Sequence, residues 1–127
     1  MLTLFTTAVA AEEIVMKCDE YTYKYTQDPA GDKVFWKHKK WTKNKYEEWC
    51  IEFPAGAISS EGWVRIIKDN KATCLFKKMT FSNPTEVVTN SVSVTDFVNF
   101  TRHIEMYAAS RGSKKDVYDF TCKKLLN

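Results

Sequence analysis

At 127 residues with 44% hydrophobic and 14% aromatic content, the chain is too apolar to stay disordered and of a length for one ordinary domain. A net charge of only +3 means that any strongly basic surface must be local. Neither a low-complexity tract nor an internal repeat occurs, and no stretch approaches the roughly 20 apolar residues that a membrane span needs.

Met1 to Ala10 is uncharged, apolar to its middle, and ends in Ala8-Val9-Ala10, the small-x-small pattern that signal peptidase accepts. Residues 1–10 are therefore expected to be a signal-peptide-like leader, followed by a single β-domain over 11–127. The positive n-region is missing and the apolar run is short, so the true start is expected upstream of Met1. The competing assignment is an apolar first strand. With the leader, the mature protein is expected to be secreted or periplasmic.

Cys18, Cys50, Cys74 and Cys122 are separated by 32, 24 and 48 positions. A structural zinc site brings ligands in close pairs such as C-x-x-C, and neither His38 nor His103 lies beside a cysteine pair. Two disulfides are expected instead, and four cysteines allow three connectivities. Cys18 with Cys122 and Cys50 with Cys74 is preferred, because the first would tie the terminal strands and the second would clamp a central meander. No metal or cofactor is called for.

Period two dominates from residue 14 onward. Residues 14 to 26 place Tyr21, Tyr23 and Tyr25 on one face of a strand and Cys18, Glu20, Thr22 and Lys24 on the other. Asp28-Pro29-Ala30-Gly31 reads as a turn. Val34 to Trp41 and Tyr46 to Phe53 are the next strands, joined across Thr42 to Lys45, with Trp49, Ile51 and Phe53 on one face and Cys50 and Glu52 on the other. Pro54-Ala55-Gly56 closes that run, and a strand begins at Gly62. Asp69-Asn70 is a two-residue hairpin signal, since both residues tolerate left-handed backbone. Its partner strand runs from Lys71 to about Phe81.

The fold class turns on Val92 to Gly112. As a helix, Thr95 or Asp96 would cap the start, and Phe97, Phe100, Ile104, Tyr107 and Ala108 would line one side. As a strand, Val92, Val94, Val98, Phe100, Ile104, Met106 and Ala108 alternate, interrupted by Asp96 and Arg102. Phe97-Val98-Asn99-Phe100-Thr101 is poor in helix formers, which favours strand. Ser110 to Ser113 then becomes a hairpin loop and Val117 to Lys124 the closing strand. The expected fold is all-β, a small antiparallel up-and-down barrel or sandwich of seven to eight strands, disulfide-stapled. The alternative is α+β with a helix at about 95–111.

Two features point toward binding. Residues 33–46 hold six lysines and no acid, leaving 13 basic against 16 acidic residues elsewhere. Lys37, Lys39, Lys40 and Lys43 beside Trp36 and Trp41 suit an anionic polymer, glycan or membrane surface, or another exported protein. The structural explanation is a solvated strand whose lysines blunt edge pairing. Separately, Tyr21, Tyr23, Tyr25, Trp49 and Trp63 are candidates to line a pocket for a small apolar or aromatic ligand in a barrel interior. Period-two aromatic stripes also occur simply as core.

Catalytic templates fit poorly. There is no G-x-S-x-G, no H-E-x-x-H and no glycine-rich phosphate loop among four glycines. Glu47-Glu48 and the Asp116/Asp119 pair are out of phase for paired carboxylates, and neither histidine has a nucleophile beside it. Non-catalytic binding is the expected role, through the hairpin 33–46, with a ligand carrier as the alternative. Inhibition of a secreted enzyme is a further alternative, by analogy of architecture alone.

Overall fold

The computed structural model describes residues 13–50, 57–81, 83, 86–108, 112 and 114–126. The expected leader, Ile51 to Phe53 and Pro54-Ala55-Gly56 lie outside the described residues, as does most of the 110–113 loop. Eleven strands are formed among those described: β1 Glu13–Cys18, β2 Tyr21–Thr26, β3 Lys33–His38, β4 Glu47–Glu48, β5 Ala57–Glu61, β6 Val64–Lys68, β7 Lys71–Phe81, β8 Val87–Asp96, β9 Thr101–Ala108, β10 Lys115–Thr121 and β11 Lys123–Leu126. They build two antiparallel sheets. The first has the order β11-β1-β2-β3-β4; the second runs β10-β9-β8-β7-β5, with β6 sharing the β7 edge. Neither sheet closes into a barrel, and the all-β architecture is sandwich-like.

Where the strands break differs from simple period two, and each break has a local cause. The stretch 14–26 is two strands, because Asp19 takes a φ of 56° and reverses the chain after Cys18. Cys18 then pairs opposite Tyr21, Met16 opposite Tyr23 and Ile14 opposite Tyr25, so Cys18 shares a face with the tyrosines. The Asp28 to Gly31 turn forms, with the Gly31 N–H donating to the Asp28 carbonyl at 2.9 Å. Asp69 and Asn70 both adopt positive φ, 54° and 59°, and Lys68 pairs with Lys71 across the hairpin they make. β3 stops at His38, short of Trp41, and β4 is only Glu47–Glu48. Cys50 has a φ of 69°, which takes it out of the expected alternation with Trp49.

Among the described residues of 95–111, which end at Ala108, there is no helix. β8 and β9 are strands joined by a tight turn over 97–100. The Asp96 carboxylate takes the N–H groups of Val98 and Asn99 at 2.8 and 3.0 Å, and the Asn99 side-chain amide at 3.0 Å. Phe97 is drawn into the core, and its N–H donates to the Asn70 carbonyl at 2.9 Å. Donors that a helix would have spent on its own carbonyls are thus held by a side chain and a neighbouring turn. The expected closing strand is likewise divided: β10 belongs to the second sheet and β11 to the first, with Cys122 between them.

The chain therefore crosses between sheets twice, after β4 and at Cys122. A disulfide sits at each crossing. Cys50, just past β4, bonds Cys74 on β7, and Cys122 bonds Cys18 at the end of β1. Further ties are polar and aromatic. Tyr25, fully buried, packs on Phe97 at 5.2 Å between ring centres, donates to Asp32 at 2.5 Å and accepts the Asn70 N–H at 3.3 Å. Burial and the bond to Asp32 push its phenol well above the usual range. Glu48 meets Arg65 at 3.1 Å across the sheets. Met16, Tyr23, Val34, Ala72 and the two disulfides complete the core. Among the described residues no helix is long and apolar enough to cross a membrane. The disulfides are consistent with an oxidising, extracellular location.

Two stability predictions follow from these contacts. The Cys18–Cys122 link closes a separation of 104 residues and the Cys50–Cys74 link one of 24. In the loop-entropy model, paired Cys→Ala replacement costs about 4.7 kcal/mol for the first and about 3.5 kcal/mol for the second, so urea unfolding should rank them in that order. Burial opposes ionisation of Asp96, but the bonds from Asn99 and Val98 and the Lys71 ammonium outweigh it and hold the carboxyl below its ordinary value. A depressed folded pKa adds stability above the unfolded value of about 3.9, and that stability is lost as pH falls through the folded pKa. Asp96→Ala should therefore destabilise at pH 7 by about 1 to 3 kcal/mol, and the gap to the parent protein should shrink at pH 3.

Candidate functional site

The facing sheets do not fill the space between them. They leave between them a cavity of about 320 Å³ that opens to solvent, at the lower end of the range typical of small-ligand sites. Tyr21 and Tyr23 from β2, Trp36 from β3, and Trp49 and Cys50 after β4 form one wall. Phe76 and Met79 of β7, Ser91 and Ser93 of β8, and Arg102 and Ile104 of β9 form the facing wall, with the Cys50–Cys74 disulfide joining the two. Val88 and Ser91 both reach the cavity although three positions apart, which strict alternation forbids. An irregularity between Thr89 and Val92, with Asn90 at a φ of 48°, restores the inward set.

Two tryptophans are placed by loops. At the end of β3 the Thr42 hydroxyl accepts the His38 N–H at 2.8 Å and donates to the His38 carbonyl at 2.9 Å. His38 Nδ1 accepts the Lys40 N–H at 3.0 Å, so in that contact the ring carries its proton on Nε2, which lies 3.4 Å from Glu20. Trp41 stacks on this fixed imidazole at 4.6 Å and meets Tyr21 edge-on at 5.5 Å. With 43% of its surface exposed, Trp41 stands at the mouth while its inner edge lines the cavity. Trp63 follows Gly62 between β5 and β6, bonds Ser60 through its indole N–H, and packs on Phe76 at 5.2 Å. Gly62 has a φ of +72°, and a Cβ there would lie 2.6 Å from the Lys77 side chain, so the bend that aims Trp63 inward requires glycine.

Arg102 is the one charged side chain among the described residues lining this cavity. Its guanidinium lies 5.0 Å from the Tyr23 ring centre and 5.6 Å from that of Tyr21. It donates one long hydrogen bond, Nη2 to Ser93 Oγ at 3.4 Å. Its Nε is buried without a partner, as is the hydroxyl of Thr95, its direct cross-strand neighbour on β8. Burial raises the Tyr23 and Tyr21 phenols, against which the Arg102 charge acts, so both rings stay neutral at physiological pH.

The structure separates two groups of residues that the sequence places together. All four tryptophans line the cavity, Trp36 and Trp41 included. The lysines face elsewhere: Lys37 lies on the outer side of the first sheet, its ammonium 4.7 Å from the Tyr46 ring centre, with Lys24 at 4.3 Å from the same ring. Lys39, Lys40 and Lys43 are exposed on the turn after β3. Tyr21, Tyr23, Trp49 and Trp63 line the cavity, whereas Tyr25 is sealed in the core beside Phe97. Arg102, Ser91 and Ser93 did not stand out in the sequence as site residues; the available signal was the break that Arg102 makes in the apolar alternation of its strand. His38 is buried, its ring stacked on Trp41 and its Nε2 3.4 Å from Glu20. His103 points outward between Asp119 at 2.5 Å and Glu105 at 3.5 Å, and the bond to Asp119 raises its pKa.

Among the described residues no group of three His, Cys, Asp or Glu side chains could hold a metal ion. Comparison with protein-family models, with curated proteins and with solved structures returned no match. Fold and site together define a two-sheet, disulfide-linked β-domain with an aromatic cavity between its sheets.

Proposed function

We propose that the protein is an exported, non-catalytic binder that holds a small apolar or aromatic molecule in the cavity between its two sheets. The observation that carries this reading is the convergence of all four tryptophans on one space, Trp36 from a strand of the first sheet and the other three from loops. Rings of this size, if only core, interdigitate to native density and leave no space beyond a water molecule or so. Here they surround about 320 Å³. Two covalent links at the sheet crossings tie the walls to each other in a fixed register without a ligand, which lowers the ordering cost of binding.

A second reading rests on the turn after β3. Lys39, Lys40 and Lys43 are exposed there beside Trp41, which supports contact of this rim with an anionic polymer or membrane surface.

Each reading has its own measurement. A neutral naphthylamine probe should bind with quenching of tryptophan emission. Ile104→Trp, which adds bulk to the middle of the cavity wall, should weaken that binding by about tenfold or more while cooperative unfolding persists. Undiminished probe binding by the filled variant would move the site elsewhere. For the rim, retention on heparin or anionic vesicles should fall steeply with salt and be lost when Lys37, Lys39, Lys40 and Lys43 are changed to Gln; retention that survives those changes removes the second reading.

A further inference from the structure

We infer that the ligand of this cavity is an amphipathic monocarboxylate, its apolar body held among the tryptophans and its carboxylate bound by Arg102; the inference rests on the cavity being the binding site. Three observations on Arg102 converge. The first is position: it projects from the start of β9, next to the edge strand β10, into a space otherwise walled by aromatic rings, aliphatic chains, methionines, two serines and a disulfide. The second is unused donor capacity. A guanidinium offers five N–H groups in a planar fork, and among the described residues it makes one hydrogen bond, at 3.4 Å, while its Nε is buried with no partner. The third is the lack of a counter-charge. The ion pairs of the described residues join Glu20, Glu48, Asp96, Glu105 and Asp119 to other cations, so no described carboxylate pairs with Arg102.

A cation in such surroundings is costly to desolvate, and two tyrosine faces offset only part of that cost. A carboxylate fits the vacant edge of the fork, because its two oxygens accept parallel N–H bonds while the faces remain against Tyr21 and Tyr23. Ser93, which lines the cavity beside Arg102, supplies a polar neighbour for the same head group. The rest of the ligand must be apolar, since the remaining lining offers little else to bond. A cavity of about 320 Å³ that opens to solvent has room for a medium-chain fatty acid or a single-ring aromatic acid.

Octanoate and 1-octanol share an apolar chain and differ in the head group, so the pair isolates the role of Arg102. Calorimetric titration at pH 7 should show the protein binding octanoate at least about tenfold more tightly than 1-octanol. Arg102→Met should abolish the preference, octanoate then binding no more tightly than 1-octanol to the same variant, and Arg102→Lys should keep only part of it, because an ammonium cannot make the forked contact. The Lys39, Lys40 and Lys43 to Gln variant should keep the preference, which separates recognition in the cavity from attraction by the rim. Equal affinity for acid and alcohol, or a preference that survives Arg102→Met, overturns the assignment of the carboxylate to Arg102. Binding of neither compound overturns the cavity reading itself, together with this inference.

Discussion

The architecture depends on covalent bonding at the two places where the chain leaves one sheet for the other. Cys50 bonds Cys74 beside the first crossing, and Cys122, which is itself the second crossing, bonds Cys18. In a domain of this size apolar burial leaves a narrow margin over conformational entropy, so two long closed loops contribute stability comparable to the whole net value. Their position matters as much as their energy. The sheets are tied at the crossings, and between them large rings face one another across open space.

That space draws its character from both sheets and from loops. Trp41 is held by stacking on a histidine whose Nδ1 is fixed by the Lys40 N–H, and Trp63 by a bend that only glycine permits. Arg102 is held by two tyrosine faces presented from the opposite sheet. The chemistry of the site is therefore a product of sheet-to-sheet juxtaposition. The polar cross-links, Tyr25 to Asn70 and Glu48 to Arg65, lie to the side of the cavity and fix the sheets relative to one another without filling it.

Much of the fold was legible where local chemistry is decisive. The Asp69-Asn70 hairpin, the Asp28 to Gly31 turn and the extent of Lys71 to Phe81 follow from dihedral preferences and alternation, and the cysteine pairing matches loop and strand placement. Reversals at unobvious residues were not legible. Asp19 turns the chain with no glycine or proline nearby, and Asp96 builds a turn from its own carboxylate in a segment whose spacing fits a helix equally well. Bulges such as that near Asn90 shift the inward parity, so counting by twos assigns faces wrongly beyond them. The candidate pocket tyrosines divide for a different reason: all three share one face of β2, but Tyr25 lies at the end of that strand covered by Phe97 and the Asn70 turn, so it is sealed in the core while Tyr21 and Tyr23 line the cavity.

By itself the sequence determined that the chain is an antiparallel β-domain carrying paired cysteines, many aromatic rings and one lysine-rich hairpin, because composition, periodicity and turn chemistry are local properties. Only the tertiary structure decided which aromatics share a space, that the lysines and the tryptophans of residues 33–46 part company, and that an arginine from a distant strand meets Tyr21 and Tyr23. Those outcomes depend on how two sheets are set against each other. The setting is governed by the two crossings and their disulfides, which join residues too far apart in the chain for any short-range pattern to relate.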